Sequence, residues 1–563
     1  MKLNSMATSH SNLQSASHGG IQISLLAGDA AHSWVDNETN VASWRSLYAK
    51  CPWSTSFQKP DFFRVWFRHY GARWCPVLVL GFDDHGSLAA LIALAAADGV
   101  VTGVGAHQAE YHGWLSGGDC PSDFLKDAVA EILKNFPRHD LRLRYLPPGV
   151  PMQAVKELHD GDRRSFVHTH PRHLLALDEA AINETLRKKG NRSKINRLKR
   201  LGPFAIRKME PEEFAQCVDE ISAMCDFRQG AVNDSCPFKD DPKKRAFHLD
   251  WVRTMSRDVI VSGMFVNGAI VSTLIFALSK REAHIAITAH SPEHAENSPG
   301  KIHIYEAALT LAREGFSLID MTPGGDDWKI RFATRTDEVV DLTVFANSRS
   351  AALQRVRRAI GSTARSAAAR AGISTSRIKQ FLRSVGEVGR WHKKVRADVT
   401  KSEREIDTYY LAMLGSSHDL AETIEVRVNA LPDLLRFGPQ VMRQGRQAFL
   451  RQALARMESG DRCYSLSGPR GIVGIGWSAV DRDHPIRSAG GSPAGADKPS
   501  VRLFDFSVET RSDARHIYAT IIRRILSDMK SETTVAGARV SVPVPDSDLR
   551  FVVESLGFQR DLR

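Results

Sequence analysis

The chain has 563 residues, 76 Lys and Arg against 64 Asp and Glu, a net charge of +12, 42% hydrophobic and 25% charged content. That balance excludes a mostly disordered, collagen-like or disulfide-scaffold chain, and the length corresponds to about three to five domains. The charge is not evenly spread. Residues 187–200 contribute +8 and residues 349–396 contribute +12, so the remainder is acidic, at −8.

Residues 1–20 are polar and hold no apolar stretch of the ~7–15 residues that a secretory signal needs. They read as a disordered tail. The longest apolar run, Leu88 to Ala97, stops at Asp98 and is too short for the ~20 residues of a spanning helix. Seven cysteines form no CxxC pair, which fits reduced thiols better than disulfides or zinc. The expectation is a cytoplasmic protein, with peripheral contact to an inner membrane left open.

Along the chain one unit recurs three times: helix, hairpin, strand, helix, strand. The hairpins are VLVLGF with SLAALIALAA about Asp83–Gly86, VIVSGMFV with AIVSTLIFAL about Asn267-Gly268, and CYSLS with IVGIGWSAV about Gly468–Gly471. Asn-Gly is a strong hairpin signal, because a type I′ turn needs positive φ at both central residues. After the hairpins come strands at 140–145, 283–290, 317–322, 501–508 and 538–544, and helices at 122–135, 301–313 and 513–529. This predicts an α+β fold of repeated domains, mostly antiparallel sheets flanked by helices. The predicted division is a tail at 1–20, domains at 21–170 and 171–347, a basic helical linker at 348–405, and a third domain at 406–563.

Ser298-Pro299-Gly300-Lys301 opens the helix of the second copy. Backbone N–H groups at a helix start hold phosphate well, Ser is a good N-cap and Pro suits the first helical position. An ordinary capped helix is the alternative. The corresponding places in the other copies, Asp119–Asp123 and Glu509–His516, carry acids that oppose phosphate binding. Farther on come Asp320-Met321-Thr322-Pro323-Gly324-Gly325-Asp326-Asp327-Trp328-Lys329, ending in Arg331-Phe332.

These strings, with Asp226-Phe227-Arg228, Phe57-Gln58 and Glu110-Tyr111-His112-Gly113, resemble the tandem-GNAT acyltransferases. The likeness is to the CelD-like, Fem-related acetyltransferases of polysaccharide and cellulose biosynthesis. It covers residues 22–345 well and 424–563 loosely. It implies acetyl-CoA or another acyl-CoA as co-substrate at Ser298, Pro299, Gly300 and Lys301, and no metal. It also implies an amine acceptor, among them an amino sugar of surface polysaccharide or cell-envelope synthesis.

Acyl transfer needs a proton acceptor and donors around the developing oxyanion. Asp320, Asp326, Lys329 and His290 are the candidates, against a solvated turn for Asp326 and a surface charge for Lys329. His284 and His290 share a strand face by period two, and His290 is the one chosen as base. Tyr111, His112, Trp114 and Arg228 are candidates for the acceptor cleft, with core aromatics as the competing interpretation.

The spacing of residues 349–396 predicts a pair of basic amphipathic helices, read as a packed hairpin first, a membrane-surface contact second and a nucleic-acid contact last. A Fem-type transferase using aminoacyl-tRNA and a non-catalytic GNAT-fold adaptor are the alternative functions.

Overall fold

The computed structural model describes residues 21–117, 124–353, 355, 406–412, 426–436, 445–469, 471–481, 500–509, 513–531 and 537–561. The 1–20 tail, the 119–123 loop and nearly all of the 349–396 basic pair fall outside them. No described helix is long and apolar enough to cross a membrane.

The three predicted hairpins form as Cys75–Phe82 with Leu88–Ala97, Val259–Val266 with Ala269–Ser279, and Arg462–Gly468 with Gly471–Asp481. At the second turn Asn267 has φ 49° and Gly268 φ 80°, the pair of positive values that Asn-Gly supplies at low cost.

The first two copies share one sheet, and the join is an exchange of strands. Arg335–Val344, which follows the second copy, pairs with Asp140–Leu143 of the first. Ser165–Ala176, which precedes the second copy, pairs with Leu318–Pro323 inside it. The two long strands then pair antiparallel with each other from Ser165↔Val344 to Leu174↔Arg335. Each copy therefore closes its sheet with the strand that follows the other copy in the chain. The third copy has its own sheet, in the order Arg427–Val428, Arg462–Gly468, Gly471–Asp481, Ser500–Val508, Gly537–Pro543, Ile406–Ala412, Gln559–Arg560.

A single apolar core runs through all three. Helix Pro60–Tyr70 brings Phe62 to 6.2 Å from Trp251 on helix Lys244–Thr254, ring centre to ring centre. Helix Pro211–Asn233 of the second copy meets helix Arg446–Glu458 of the third so closely that a Cβ at Gly230 would stand 2.6 Å from Leu450 Cδ1. Burial of such side chains contributes about 1.5–3 kcal/mol each, and it fixes the loops of the first copy against the sheet of the second.

Candidate active site

In the second copy, strands Glu282–His290 and Leu318–Pro323 are parallel neighbours only from Glu282↔Leu318 to His284↔Asp320. Beyond that they part. The first continues alongside Ala269–Ser279 as far as His290↔Ser272, while the second bends toward Arg172 on Ser165–Ala176. On the first strand, Ile285 and Ile287 take consecutive partners on its neighbour, so Ala286 is bulged out of the ladder. A groove opens between the parted strands, with Ala286, Thr288 and His290 half-exposed along it.

One end of the groove is a pocket of about 420 Å³, lined by Arg228, Thr288, His290, Tyr305, Trp328, Arg331 and Ser298 through Lys301. Helix Pro299–Arg313 starts here with Pro299 at its first position. Ser298 departs from the expectation of a side-chain N-cap. It sits at φ 48° without capping the helix, and its hydroxyl accepts a 2.6 Å hydrogen bond from Lys194 Nζ. Lys194 belongs to helix Lys189–Arg200, the basic run of the sequence, which thereby lies beside the loop. Burial, and then the charges of Lys194, Arg331 and Lys188, push the Lys301 ammonium below its usual range. Cations crowded around free helical N–H groups are a site for an anion.

His290 stands in this pocket, where a Cβ at Gly300 would come within 3.0 Å of its Nδ1, an atom that has no partner. Burial and then Arg228 bring its imidazole down to about 4, so it is neutral near pH 7 and a weak base. Arg228 is held at the pocket rim by Glu458 of the third copy, 3.3 Å away.

At the last paired position, before the strands part, lies the buried carboxylate of Asp320. Its Oδ2 accepts from Tyr111 Oη at 2.5 Å, from His284 Nδ1 at 3.1 Å and from Arg172 at 3.2 Å, and its Oδ1 accepts from the Thr322 amide at 2.7 Å. Burial raises its pKa, but His284, Arg172 and Tyr111 outweigh it and bring the carboxyl down to about 2. Arg172, only 2% exposed, also forks onto Asp337 and reaches Glu282 Oε2 at 3.0 Å. Glu282, His284 and Asp320 are close enough together to hold a metal ion. The Arg172 guanidinium, however, already donates to both carboxylates, which puts the positive charge of that cluster on the chain itself.

Of the sequence candidates, Ser298, Pro299, Gly300, Lys301, His290 and Arg228 meet at the pocket end of the groove, and Asp320 and Tyr111 at the last paired position. Lys329 is buried against the segment that follows Asp320. Its ammonium donates to Thr322 O, Thr322 Oγ1 and Pro323 O and pairs with exposed Asp326 at 3.4 Å. It braces a turn in which Thr322 (φ 67°) and Gly324 (φ 131°) are left-handed. Both residues thus shape the segment instead of facing the groove.

His112 and Trp114 lie away from the cleft expected for them. The His112 ring is enclosed in the first copy, with Nε2 2.9 Å from Ala106 O and Nδ1 accepting from the Arg144 amide. Trp114 is 3% exposed and packs edge-on against Trp53. Arg172, His284, Glu110 and Lys244 were not candidates. Their traces in the sequence were the Glu110–Gly113 string and the expected shared face of His284 and His290, which the bulge at Ala286 interrupts.

Comparison with known proteins bears on the same region. Residues 186–330 match the family model described as an acetyltransferase (GNAT) domain. The second copy carries a GNAT domain.

No curated protein matches the chain. Among solved structures it is similar to FemX (9% identity, 56% of this chain and 98% of that one, TM-score 0.40). It is also similar to a tandem GNAT protein from the clavulanic acid biosynthesis pathway (12%, 58% and 99%, 0.35). A third is a conserved protein of unknown function from Bacteroides thetaiotaomicron (14%, 54% and 97%, 0.38). Over residues 186–330 the fold is that of a GNAT domain, and the chain is α+β with large, mostly antiparallel sheets.

Proposed function

We propose that this protein is an acyltransferase that takes an acyl group from acyl-CoA and passes it to an amine. The observation that carries the proposal is the pocket at the parted strands, in which a helix N-terminus, Lys194, Lys301 and Arg331 surround a glycine whose Cβ would crowd the His290 ring. A pyrophosphate suits the cationic helix start, and the 420 Å³ of space beside Thr288 and His290 suits the arm that follows it. The bulge at Ala286 lies farther along the same strand, where an unpaired amide would serve a thioester oxyanion. An amine-bearing small molecule or saccharide, among them an amino sugar of envelope synthesis, is the acceptor, and the cytoplasm is the place of work.

Isothermal titration with acetyl-CoA and longer acyl-CoAs tests the donor site. Binding is expected for the wild type and is lost in Gly300→Glu, because a carboxylate about 4 Å from a phosphate costs about 4 kcal/mol at an effective dielectric near 20, a loss of about 1,000-fold. No binding by any acyl-CoA would overturn the proposal. Helix Lys189–Arg200 beside the loop supports a second possibility, a donor carried on tRNA. Salt-sensitive tRNA binding lost on neutralising Lys194 and Arg197 would favour it over acyl-CoA.

A further inference from the structure

Between the first and second copies lies a separate cavity of about 50 Å³, enough for a few water-sized groups. Its walls come from three places: His107, Gln108 and Glu110 of the first copy, Lys244 and His248 of helix Lys244–Thr254, and His284 to Ala286 of the grooved strand. His284 is 1% exposed, and its Nε2 has no hydrogen-bond partner among the described residues. A buried polar atom without a partner costs about 1–3 kcal/mol, and such atoms in native folds call for an explanation.

The rest of the ring supplies one. Asp320, kept ionised by Arg172 and Tyr111, can only accept hydrogen bonds, so the His284 nitrogen facing it, Nδ1, is the one that carries the proton. In the neutral ring the other nitrogen, Nε2, keeps its lone pair. Ala286 and Thr288 follow His284 along the strand at ~3.3 Å per residue, which brings the donor pocket within about 13 Å.

We propose that His284 is the general base of the transfer, and that the cavity receives the acceptor nucleophile. This rests on the acyl-transfer proposal above. The acceptor nitrogen attacks the thioester carbonyl, its C–N bond forms, and its proton passes to His284 Nε2. The C–S bond then breaks, and the departing thiolate recovers that proton from the imidazolium. Asp320 stabilises the imidazolium, and Tyr111 is a positioning residue that the first copy contributes to the second copy's centre. The other charged or titratable groups facing the ring across the cavity are Glu110, Lys244, His107 and His248. Burial, followed by the opposing pull of Arg144, raises the Glu110 carboxyl. Burial and then Lys244 hold His248 neutral at about 3. Lys244 Nζ donates to Gln108 Oε1 at 2.7 Å, leaving it at the cavity wall for an anionic group of the acceptor.

Two measurements on the full chain test this. In ¹⁵N-detected spectra, assigned by the signals missing from His284→Gln, His284 is expected as the Nδ1–H tautomer, and that preference disappears in Asp320→Asn. An Nε2–H tautomer overturns the proposal whether or not any acceptor is in hand. Second, CoA release from acetyl-CoA with glucosamine as amine probe is expected to fall about 100-fold or more in His284→Gln, and the acidic limb of the kcat/KM profile disappears with it. Acetyl-CoA affinity should stay within about twofold of wild type, because His284 lies outside the phosphate end of the groove. Tyr111→Phe is expected to keep the limb but shift it. A His284→Gln rate within about threefold of wild type, with its acidic limb intact, removes His284 from the chemistry. Failure of acetyl-CoA to bind the wild type would instead strike the donor site, with the tautomer still deciding the dyad.

Discussion

The second and third copies have the same framework and opposite interiors. In the second, the parallel register ends on His284↔Asp320; in the third it ends on Leu503↔Val540. All four side chains are buried. Both copies also break the ladder soon afterwards, at Ala286 in the second and between Phe504 and Ser507 in the third. In the second, Thr288 and His290 then border an open pocket under helix Pro299–Arg313. In the third, Phe506 turns onto Tyr518 of helix Ala514–Ser531, ring centres 6.2 Å apart, and Ile517 leaves no room for a Cβ at Gly474. A parted pair of strands is thus a property of the framework. Whether it becomes a site depends on a handful of side chains that either line the opening or fill it.

The largest test of that contrast is Val540→Asp, which puts the second copy's acid into the third copy's core. Asp320 survives burial because Arg172, His284, Tyr111 and an amide satisfy it. Val540 sits among apolar side chains of the third core. The substitution is expected to cost about 3–5 kcal/mol, as for a buried charge without its partner, read as a loss of denaturant midpoint in the third domain. Retained stability would mean that the two interiors are more alike than their side chains imply.

Next in size is a pH effect. Asp320 titrates at about 2 in the fold against an ordinary value of 3.8. A depressed carboxyl stabilises the folded chain above its unfolded pKa and loses that contribution as pH falls through its folded one. The melting temperature of the wild type should therefore exceed that of Asp320→Asn at pH 7, and the gap should close between about pH 4 and pH 2. A gap that stays constant with pH would show that the carboxylate is not what the network holds.

The contrast also explains what could be seen in the sequence. The hairpins, the flanking helices and the start of helix Pro299–Arg313 were legible because each is decided within a few residues: Asn-Gly for a turn, Ser-Pro-Gly-Lys for a helix start. The strand exchange was not. SFVHTHPRHLLA reads as a polar, histidine-rich stretch, and nothing local in it announces a partner at 335–344, some 170 residues away. Of the cluster around Asp320, only Asp320 and Tyr111 stood among the sequence candidates, for the same reason. Tyr111, Arg172, His284 and Asp320 come from one loop and three strands, and only the folded sheet brings them together. His112 and Trp114, one and three residues past Tyr111, looked equally suitable, yet the chain turns them into the first copy's interior.

The smallest expected effect lies where the two copies touch. Glu458 of the third copy holds Arg228 of the second at the pocket rim, both side chains being partly exposed at 38% and 42%. As a stabilising pair it is worth little, about 0.2–1 kcal/mol, so Glu458→Gln should scarcely move the denaturant midpoint. Its effect on the donor is more telling. A carboxylate at the mouth of a phosphate site repels the ligand and occupies the arginine that would meet it. Glu458→Gln should therefore tighten acetyl-CoA binding a few-fold at low salt, and the gain should shrink as ionic strength shortens the Debye length to about 8 Å near 0.15 M. Calorimetry across a salt series measures both parts. An affinity unchanged at every ionic strength would mean that the filled copy only braces the open one. A salt-dependent gain would make it a participant in donor selection, through a single carboxylate.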